Sequence, residues 1–328
     1  MKFSVVIPLY NKEDYILRTI QSVLNQSILD FEVLVIDDGS TDKSVEIVKS
    51  IKDKRVRLLR QSNFGVSVAR NYGIKEACNN LIAFLDADDY WESEYLFSMS
   101  MLITKFPKSI MYSSGYIIHN KTSSYVRNIQ NNNTHSYSIV ENYEYYRIIN
   151  KWGMQASSTV IRKTDFINYD NYFPVGIQQG EDSWVWDRFS LLGDVATMSD
   201  VLVHYSGDIP NQITSNRNNN IICATVYGVN EFRNKYRLSL KKNLWSEYYI
   251  KSLLISKINL CHRSSACIQK IINDDMTQQY LSRLTISMLK SKNYIILNSF
   301  LVFSYLLYHP RVIRNFSPNI IKKIYKHL

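Results

Sequence analysis

An α/β fold, built on a mostly parallel central sheet flanked by helices, is the class the amino-acid sequence predicts, and three observations predict it. Short apolar runs alternate with helix-periodic segments up to about residue 90, the pattern of parallel strands joined by helical crossovers. Two of those runs end on carboxylates, Asp37-Asp38 and Asp86-Ala87-Asp88-Asp89, at the strand ends where open parallel sheets bind ligands. The 328 residues, 45% hydrophobic and 21% charged, are enough to bury a full core and exclude a disordered chain.

Strands are predicted at Ser4 to Leu9, Phe31 to Ile36, Val56 to Leu59 and Leu81 to Leu85. Between the first two, Ile16, Leu17, Ile20, Val23 and Leu24 share one face of an amphipathic helix. A second helix is predicted to start at Ser40 or Thr41 under a hydroxyl cap, with Val45, Val48 and Ile51 turned inward. Gly65 opens a third. Beyond residue 90 the pattern loosens into aromatic-rich helices. Strand character returns at Ile110 to Ile118, Ser158 to Ile161 and Val201 to Tyr205, and Asn131 to Asn133 reads as a surface loop. A second Asn-rich stretch, Asn216 to Asn220, marks the border of a carboxyl-terminal region that reads as helical to the end. The expected division is therefore 1–215, with halves 1–100 and 101–215, followed by 216–328.

The charge is divided along the same border. The total is +10, but residues 1–214 carry 21 Lys and Arg against 25 Asp and Glu, and residues 215–328 carry 18 against 4. An acidic portion joined to a basic one fits an enzyme held against an anionic surface, either a membrane or a nucleic acid. The cysteines Cys78, Cys223, Cys261 and Cys267 show neither metal-ligand pairing nor a dense framework, which favours a reducing, cytoplasmic compartment. The apolar run Phe3 to Ile7 is too short for the core of a signal peptide. The least polar stretch, Tyr294 to Tyr308, contains Asn298, Ser299 and Ser304 and falls short of the roughly 20 apolar residues of a spanning helix.

Three acidic corners carry the chemistry. Carboxylates that end buried strands lose solvation, so a cation is expected to compensate them. At Asp37-Asp38 the turn offers carboxylates, not a Gly-rich phosphate cradle, and these can accept the ring N–H of a base or a ribose hydroxyl; the alternative is a capped helix start. Alternating carboxylates in Asp86 to Asp89 can hold a hard divalent cation such as Mg²⁺ or Mn²⁺ bridging two phosphates, the alternative being a solvated turn. Between them Asn63-Phe64-Gly65 leads into a helix carrying Arg70, either a nucleotide contact or a surface ion pair. The third corner, Glu181-Asp182 after Gly180, offers a general base, or simply an acidic first turn favoured by the helix dipole. Trp152, Trp184 and Trp186 offer an apolar platform or core packing.

These segments, in this order, resemble the inverting nucleotide-sugar glycosyltransferases of family 2, which have the Rossmann-like GT-A fold. The resemblance runs from Phe3 to about Ser215 and rests on Val5-Val6-Ile7-Pro8-Leu9-Tyr10-Asn11, Asp37 to Asp42, Asn63 to Gly73 and Phe84 to Asp89. It implies that Pro8, Tyr10, Asp37, Asp38, Asn63, Arg70, Asp86 and Ala87 line the nucleotide and that Asp88 binds the metal. Asp182 would be the base, with Glu181 as its rival. Trp184, Arg188 and His204 would stand on the acceptor or diphosphate side, although an ordinary hydrogen-bonded histidine is the simpler reading of His204. The implied reaction moves a sugar from a UDP-linked donor to a hydroxyl of a bacterial surface glycan, and a polyprenyl-diphosphate-linked glycan is the form of acceptor the basic region would suit. Nucleic acid is not an expected partner; the basic region would seat the protein on the inner face of the cell membrane. Rival readings are a nucleotidyltransferase, which would want a Gly-rich basic loop where Leu9-Tyr10-Asn11-Lys12-Glu13 stands, a phosphate-receiving signalling module, and a catalytically silent glycan-binding relative.

Overall fold

In the computed structural model, the described residues are 1–127, 136–140, 153–177 and 180–207, with 143, 147, 209, 229, 232, 235 and 236. The chain divides into two units, Met1–Tyr249 and Ile250–Leu328, and every described residue belongs to the first. The basic region 216–328, the Asn131 to Asn133 loop, Trp152 and the stretch Tyr294 to Tyr308 lie outside the description, apart from the isolated positions just given.

The first half folds as the alternation predicts. Strand β1 (Phe3–Leu9) is followed by α1 (Ile16–Leu24), β2 (Phe31–Asp37), α2 (Ser44–Ser50), β3 (Val56–Arg60), α3 (Val66–Glu76) and β4 (Leu81–Phe84). β1 pairs in parallel with β2 on one side and β4 on the other, and β2 with β3. The carboxyl ends of β1, β2 and β4 therefore lie along one sheet edge. The second half adds β5 (Tyr90–Trp91), α4 (Tyr95–Lys105), β6 (Met111–His119), β7 (Ser124–Arg127), β8 (Tyr137–Val140), β9 (Thr159–Arg162), α5 (Lys163–Tyr169), α6 (Glu181–Leu192) and β10 (Val195–Ser206). Among the described residues these complete a ten-stranded sheet whose main path runs β3-β2-β1-β4-β9-β6-β10-β5. β9 is antiparallel to both β4 and β6, which separates the parallel set β3-β2-β1-β4 from the parallel pair β6-β10; β5 and β8 pair antiparallel with β10, and β7 with β6.

The sheet is buried on both faces, as parallel sheets are. On one face Val5, Ile7 and Leu9 of β1 meet Ile16, Ile20 and Val23 of α1 and Tyr95, Met99 and Leu102 of α4. On the other, Val6, Leu34, Ile36 and Phe84 meet Ala69 and Ile74 of α3 and Val185, Trp186 and Phe189 of α6. The second face holds the aromatic cluster that seats α6. Phe84 lies 5.3 Å from Phe173 and 5.8 Å from Trp186, and Phe173 meets Trp186 edge-on. Asn71 locks the same region by exchanging two hydrogen bonds with the Phe173 backbone.

Three element predictions need correction. Leu17 is 43% exposed, so the apolar face of α1 is narrower than its periodicity suggests. α2 begins at Ser44, not at Ser40 or Thr41, because those residues are engaged elsewhere. The Ser40 hydroxyl accepts from Asn11 N–H, the Asn11 side chain accepts from Thr41 N–H, and Asp42 accepts from the N–H groups of Glu13 and Ser44. Val201 to Tyr205 is only the later part of β10, whose pairing with β6 shifts register between Thr197 and Val203. That irregularity interrupts the period-2 pattern by which the first part would have been read.

α3 packs tightly on β1 at Gly73, where an added Cβ would lie 2.4 Å from Cγ1 of the fully buried Val6. Gly73→Ala would gain up to about 1 kcal/mol of helix propensity but incurs overpacking of about 1–3 kcal/mol against a stiff β-branched side chain. Denaturant unfolding of Gly73→Ala is expected to show a net loss of stability; an equal or higher midpoint would contradict this packing.

Candidate active site

A cleft of about 600 Å³ opens at the carboxyl ends of β1, β2 and β4. Asp38, Asp88 and Asp182, distant in sequence, all line it. Pro8 and Tyr10 come from the end of β1, Asn63 and Gly65 from the turn into α3, and Asp86 and Ala87 from the end of β4. Arg70 and Glu181 complete the side where α3 meets α6.

Each carboxylate has a different fate. Asp37 is fully buried away from the cleft, accepting from Ser40 N–H and Arg60 Nε, so it shapes the β2–α2 turn and is not a cleft residue. Asp38 faces the cleft but accepts from Phe64 N–H, Gly65 N–H and Gln61 Nε2, each at 2.8 Å. Two carboxylate oxygens accept about four hydrogen bonds, so roughly one site remains for a ligand. Gly65, at φ 93°, allows the backbone to present its N–H to Asp38 as it enters α3.

Arg70 is not a surface ion pair: its two terminal nitrogens are engaged by carboxylates, while its Nε has no hydrogen-bond partner among the described residues. It is buried, with Nη2 2.6 Å from Asp86 Oδ1 and Nη1 2.7 Å from Glu181 Oε1, and its guanidinium stacks over Phe173. Burial disfavours its charge, but the two carboxylates outweigh that and hold it protonated.

Asp89 is fully buried, accepting from the Ser157 hydroxyl at 2.5 Å and from Ser206 N–H at 2.9 Å. Burial, reinforced by the charges of Asp88 and Asp86, pushes its carboxyl well up. Thr19 of α1 fixes the same turn, its hydroxyl lying 2.9 Å from Ala87 O and 2.7 Å from Asp89 O. Of the acidic triplet, Asp86 and Asp88 reach the cleft and Asp88 alone stands clear of Arg70. Asp88 Oδ2 lies 2.7 Å from Lys12 Nζ, and Arg18 Nη2 and the Ser206 hydroxyl donate to its main-chain oxygen. Burial raises the Asp88 carboxyl, with Lys12 opposing and Asp86 adding to the rise. The cationic compensation expected for this strand end is thus supplied in part by the protein itself, through Arg70 and Lys12.

α6 begins after Gly180, whose φ of 76° turns the chain so that Glu181 and Asp182 stand on the cleft. Burial pushes Glu181 up to about 7 against the pull of Arg70, and it raises Asp182 as well. Glu181 is held by Arg70. Asp182 Oδ1 accepts from Ser183 N–H at 2.6 Å.

Three residues expected on the acceptor or diphosphate side do not line the cleft. Trp184 is partly buried with Arg188 stacked on it at 5.2 Å, and Arg188 also covers Phe232; Trp186 is a core residue. His204 points away because neighbouring residues of a strand face opposite sides, so Tyr205 reaches the cleft in its place. His204 Nε2 lies 2.6 Å from Glu92 and its Nδ1 2.8 Å from His119 Nε2, with Tyr90 stacked at 4.3 Å. Sequence reasoning missed Lys12, Gln155 and Tyr205 as cleft residues. Lys12 carried a usable signal, a basic side chain just past the end of β1.

Among the described residues no group of three or more His, Cys, Asp or Glu is placed to hold a metal ion, and no helix is long and apolar enough to cross a membrane.

The family model for glycosyl transferase family 2 matches residues 4–167, half of the chain, and the protein belongs to that family. It is 34% identical over 199 residues to an uncharacterized glycosyltransferase of Rickettsia bellii, a match covering 60% of this chain and 28% of that protein. It is 27% identical over 206 residues to the glycosyltransferase GlyA of Streptococcus pneumoniae, covering 59% of this chain and 28% of that one. The matches thus span less than a third of these relatives' length. Among solved structures, Staphylococcus aureus TarS (residues 1–349) in complex with UDP-GlcNAc superposes with a TM-score of 0.71 at 20% identity, over 89% of this chain and 88% of that one. The shared architecture is the GT-A fold expected from the sequence.

The buried Glu181 at the start of α6 gives stability a definite pH dependence. A carboxyl whose folded pKa exceeds its unfolded value holds its proton more tightly in the native state, so the stability it adds is full below the unfolded value and declines as pH rises through the folded one. For Glu181 that window runs from the ordinary 4.5 to about 7. Urea unfolding of the wild type is expected to weaken across this window, and Glu181→Gln to weaken less; identical slopes would contradict the assignment.

Proposed function

We propose that the protein is an inverting glycosyltransferase that moves a sugar from a UDP-linked donor to a hydroxyl of a bacterial surface glycan. The observation that carries this reading is the convergence of Asp38, Asp88 and Asp182 on one cleft in a family 2 chain. Asp38 holds the Phe64-Gly65 turn and keeps an acceptor position for the base or ribose. The UDP-GlcNAc complex of TarS, which shares the fold, supports a uridine diphosphate sugar as donor.

Asp88 presents one hard oxygen donor group, which suits Mg²⁺ or Mn²⁺ taking its other ligands from a diphosphate and water. Such an ion would neutralise charge on the departing diphosphate. Asp182 is the base. With Glu181 held by Arg70, it is the α6 carboxylate left to take the proton from the acceptor hydroxyl as that oxygen attacks the anomeric carbon. The new C–O bond forms opposite the breaking bond to the diphosphate, configuration inverts, and the nucleoside diphosphate leaves. Arg70 serves this reaction as a positioning residue, holding Glu181 and hence the first turn of α6. The basic region 216–328 supports a cytoplasmic enzyme seated peripherally on an anionic membrane face, near a glycan carried on a polyprenyl diphosphate.

The reading is tested by screening nucleotide sugars with Mn²⁺ or Mg²⁺ for hydrolysis and transfer, comparing wild type with Asp182→Asn and Asp88→Asn. Asp182→Asn is expected to bind donor normally and lose transfer by about 10²–10⁴. Asp88→Asn is expected to lose metal-dependent donor binding. Full transfer by Asp182→Asn, or donor affinity in the wild type that ignores metal, would overturn the corresponding role.

A further inference from the structure

Lys12 is set in place more firmly than a surface lysine requires. Its N–H donates to the Ser44 hydroxyl at 2.9 Å, and its carbonyl accepts from the N–H groups of Tyr15 and Ile16, so the residue is fixed where the chain turns into α1. Its side chain is 18% exposed, lies in the cleft, and places Nζ 2.7 Å from Asp88 Oδ2. Asp88 is the carboxylate to which the proposed function assigns the divalent ion. An ammonium held against one oxygen of this carboxylate weakens the binding of a divalent ion to the same carboxylate, because their like charges repel across a few ångströms of partly desolvated space.

We propose that Lys12 is an internal counter-ion that competes with divalent metal for Asp88, so that metal binds weakly by itself and tightly only with a nucleoside diphosphate. This inference rests on the glycosyltransferase reading and adds a binding order to it. A diphosphate brings acceptor oxygens that can take over the Lys12 ammonium within the same cleft, freeing Asp88 for the ion. Metal and diphosphate then strengthen each other's binding by the same factor, as linkage requires. The lysine stem, with four rotatable carbons and a compact charge, suits a group that changes partner, whereas the Arg70 guanidinium is fixed between two carboxylates.

The test is a titration of the full chain with Mn²⁺ alone, read by electron paramagnetic resonance, and then with UDP. Lys12→Met is expected to bind Mn²⁺ about tenfold more tightly than wild type, the scale of removing a competing charge from a partly screened site. Lys12→Arg should stay near wild type, and adding Asp88→Asn to Lys12→Met should abolish the gain. The factor by which UDP tightens Mn²⁺ binding should shrink in Lys12→Met. Lys12→Gln replaces Lys12→Met if circular dichroism shows that the latter fails to fold. Equal Mn²⁺ affinity in wild type and the neutral variant, including no binding by either, overturns the proposal, as does weaker binding by the variant. The Mn²⁺ readout needs no sugar donor, so a chain that transfers no sugar while Lys12→Met gains metal affinity would refute the proposed function and leave the competition standing.

Discussion

The site depends on one buried guanidinium. Arg70, carried by α3, bridges Asp86 at the end of β4 and Glu181 at the start of α6, joining parts of the chain 111 residues apart. Arg70 and Glu181 are buried there and Asp86 partly so, and the guanidinium charge is tolerable only beside its carboxylate partners. Without the cation, two carboxylates would face each other across the cleft wall. With it, the first turn of α6 is held against the end of β4 and Asp182 is brought to the same opening as Asp88.

The same logic divides the remaining acidic residues. Those satisfied by backbone N–H groups and hydroxyls build the turns: Asp37 through Ser40, and Asp89 through Ser157 and Ser206. Asp38, Asp88 and Asp182 keep a face on the cleft. Fixed dipoles and internal cations let a sheet edge carry this much negative charge before any ligand arrives, which is the preorganisation a polar reaction site needs. Lys12 and Arg18 extend the pattern, since both reach the Asp88 turn, Lys12 from the loop before α1 and Arg18 from its first turn.

The parallel half of the fold was legible because β1, β2 and β4 are short apolar runs that stop on polar residues, a pattern set by burial alone. The gathering of Asp38, Asp88 and Asp182 could be expected from strand ends sharing one sheet edge. What could not be read depends on partners distant in sequence. Ser40 and Thr41 look like helix caps but are tied to Asn11 from the preceding crossover, which moves the start of α2 to Ser44. Within the acidic triplet, only the turn geometry decides that Asp89 goes to the core and Asp88 to the cleft. Nothing local to Arg70 announces that it pairs with Asp86 and with the buried Glu181. His204 sits one position out of phase with the cleft, which Tyr205 reaches, and Trp184 lies on α6 outside the cleft lining; strand alternation and helix rotation make that distinction and composition does not.

The most direct test of the Arg70 linkage is a double-mutant cycle between Arg70→Met and Glu181→Gln, read by denaturant unfolding. Arg70→Met alone should cost about 3–5 kcal/mol by leaving the buried Glu181 carboxylate, and Asp86 beside it, unpaired. Adding Glu181→Gln should return part of that loss, giving a coupling of about 1–3 kcal/mol. Losses that simply add would mean that the bridge does not hold the site together.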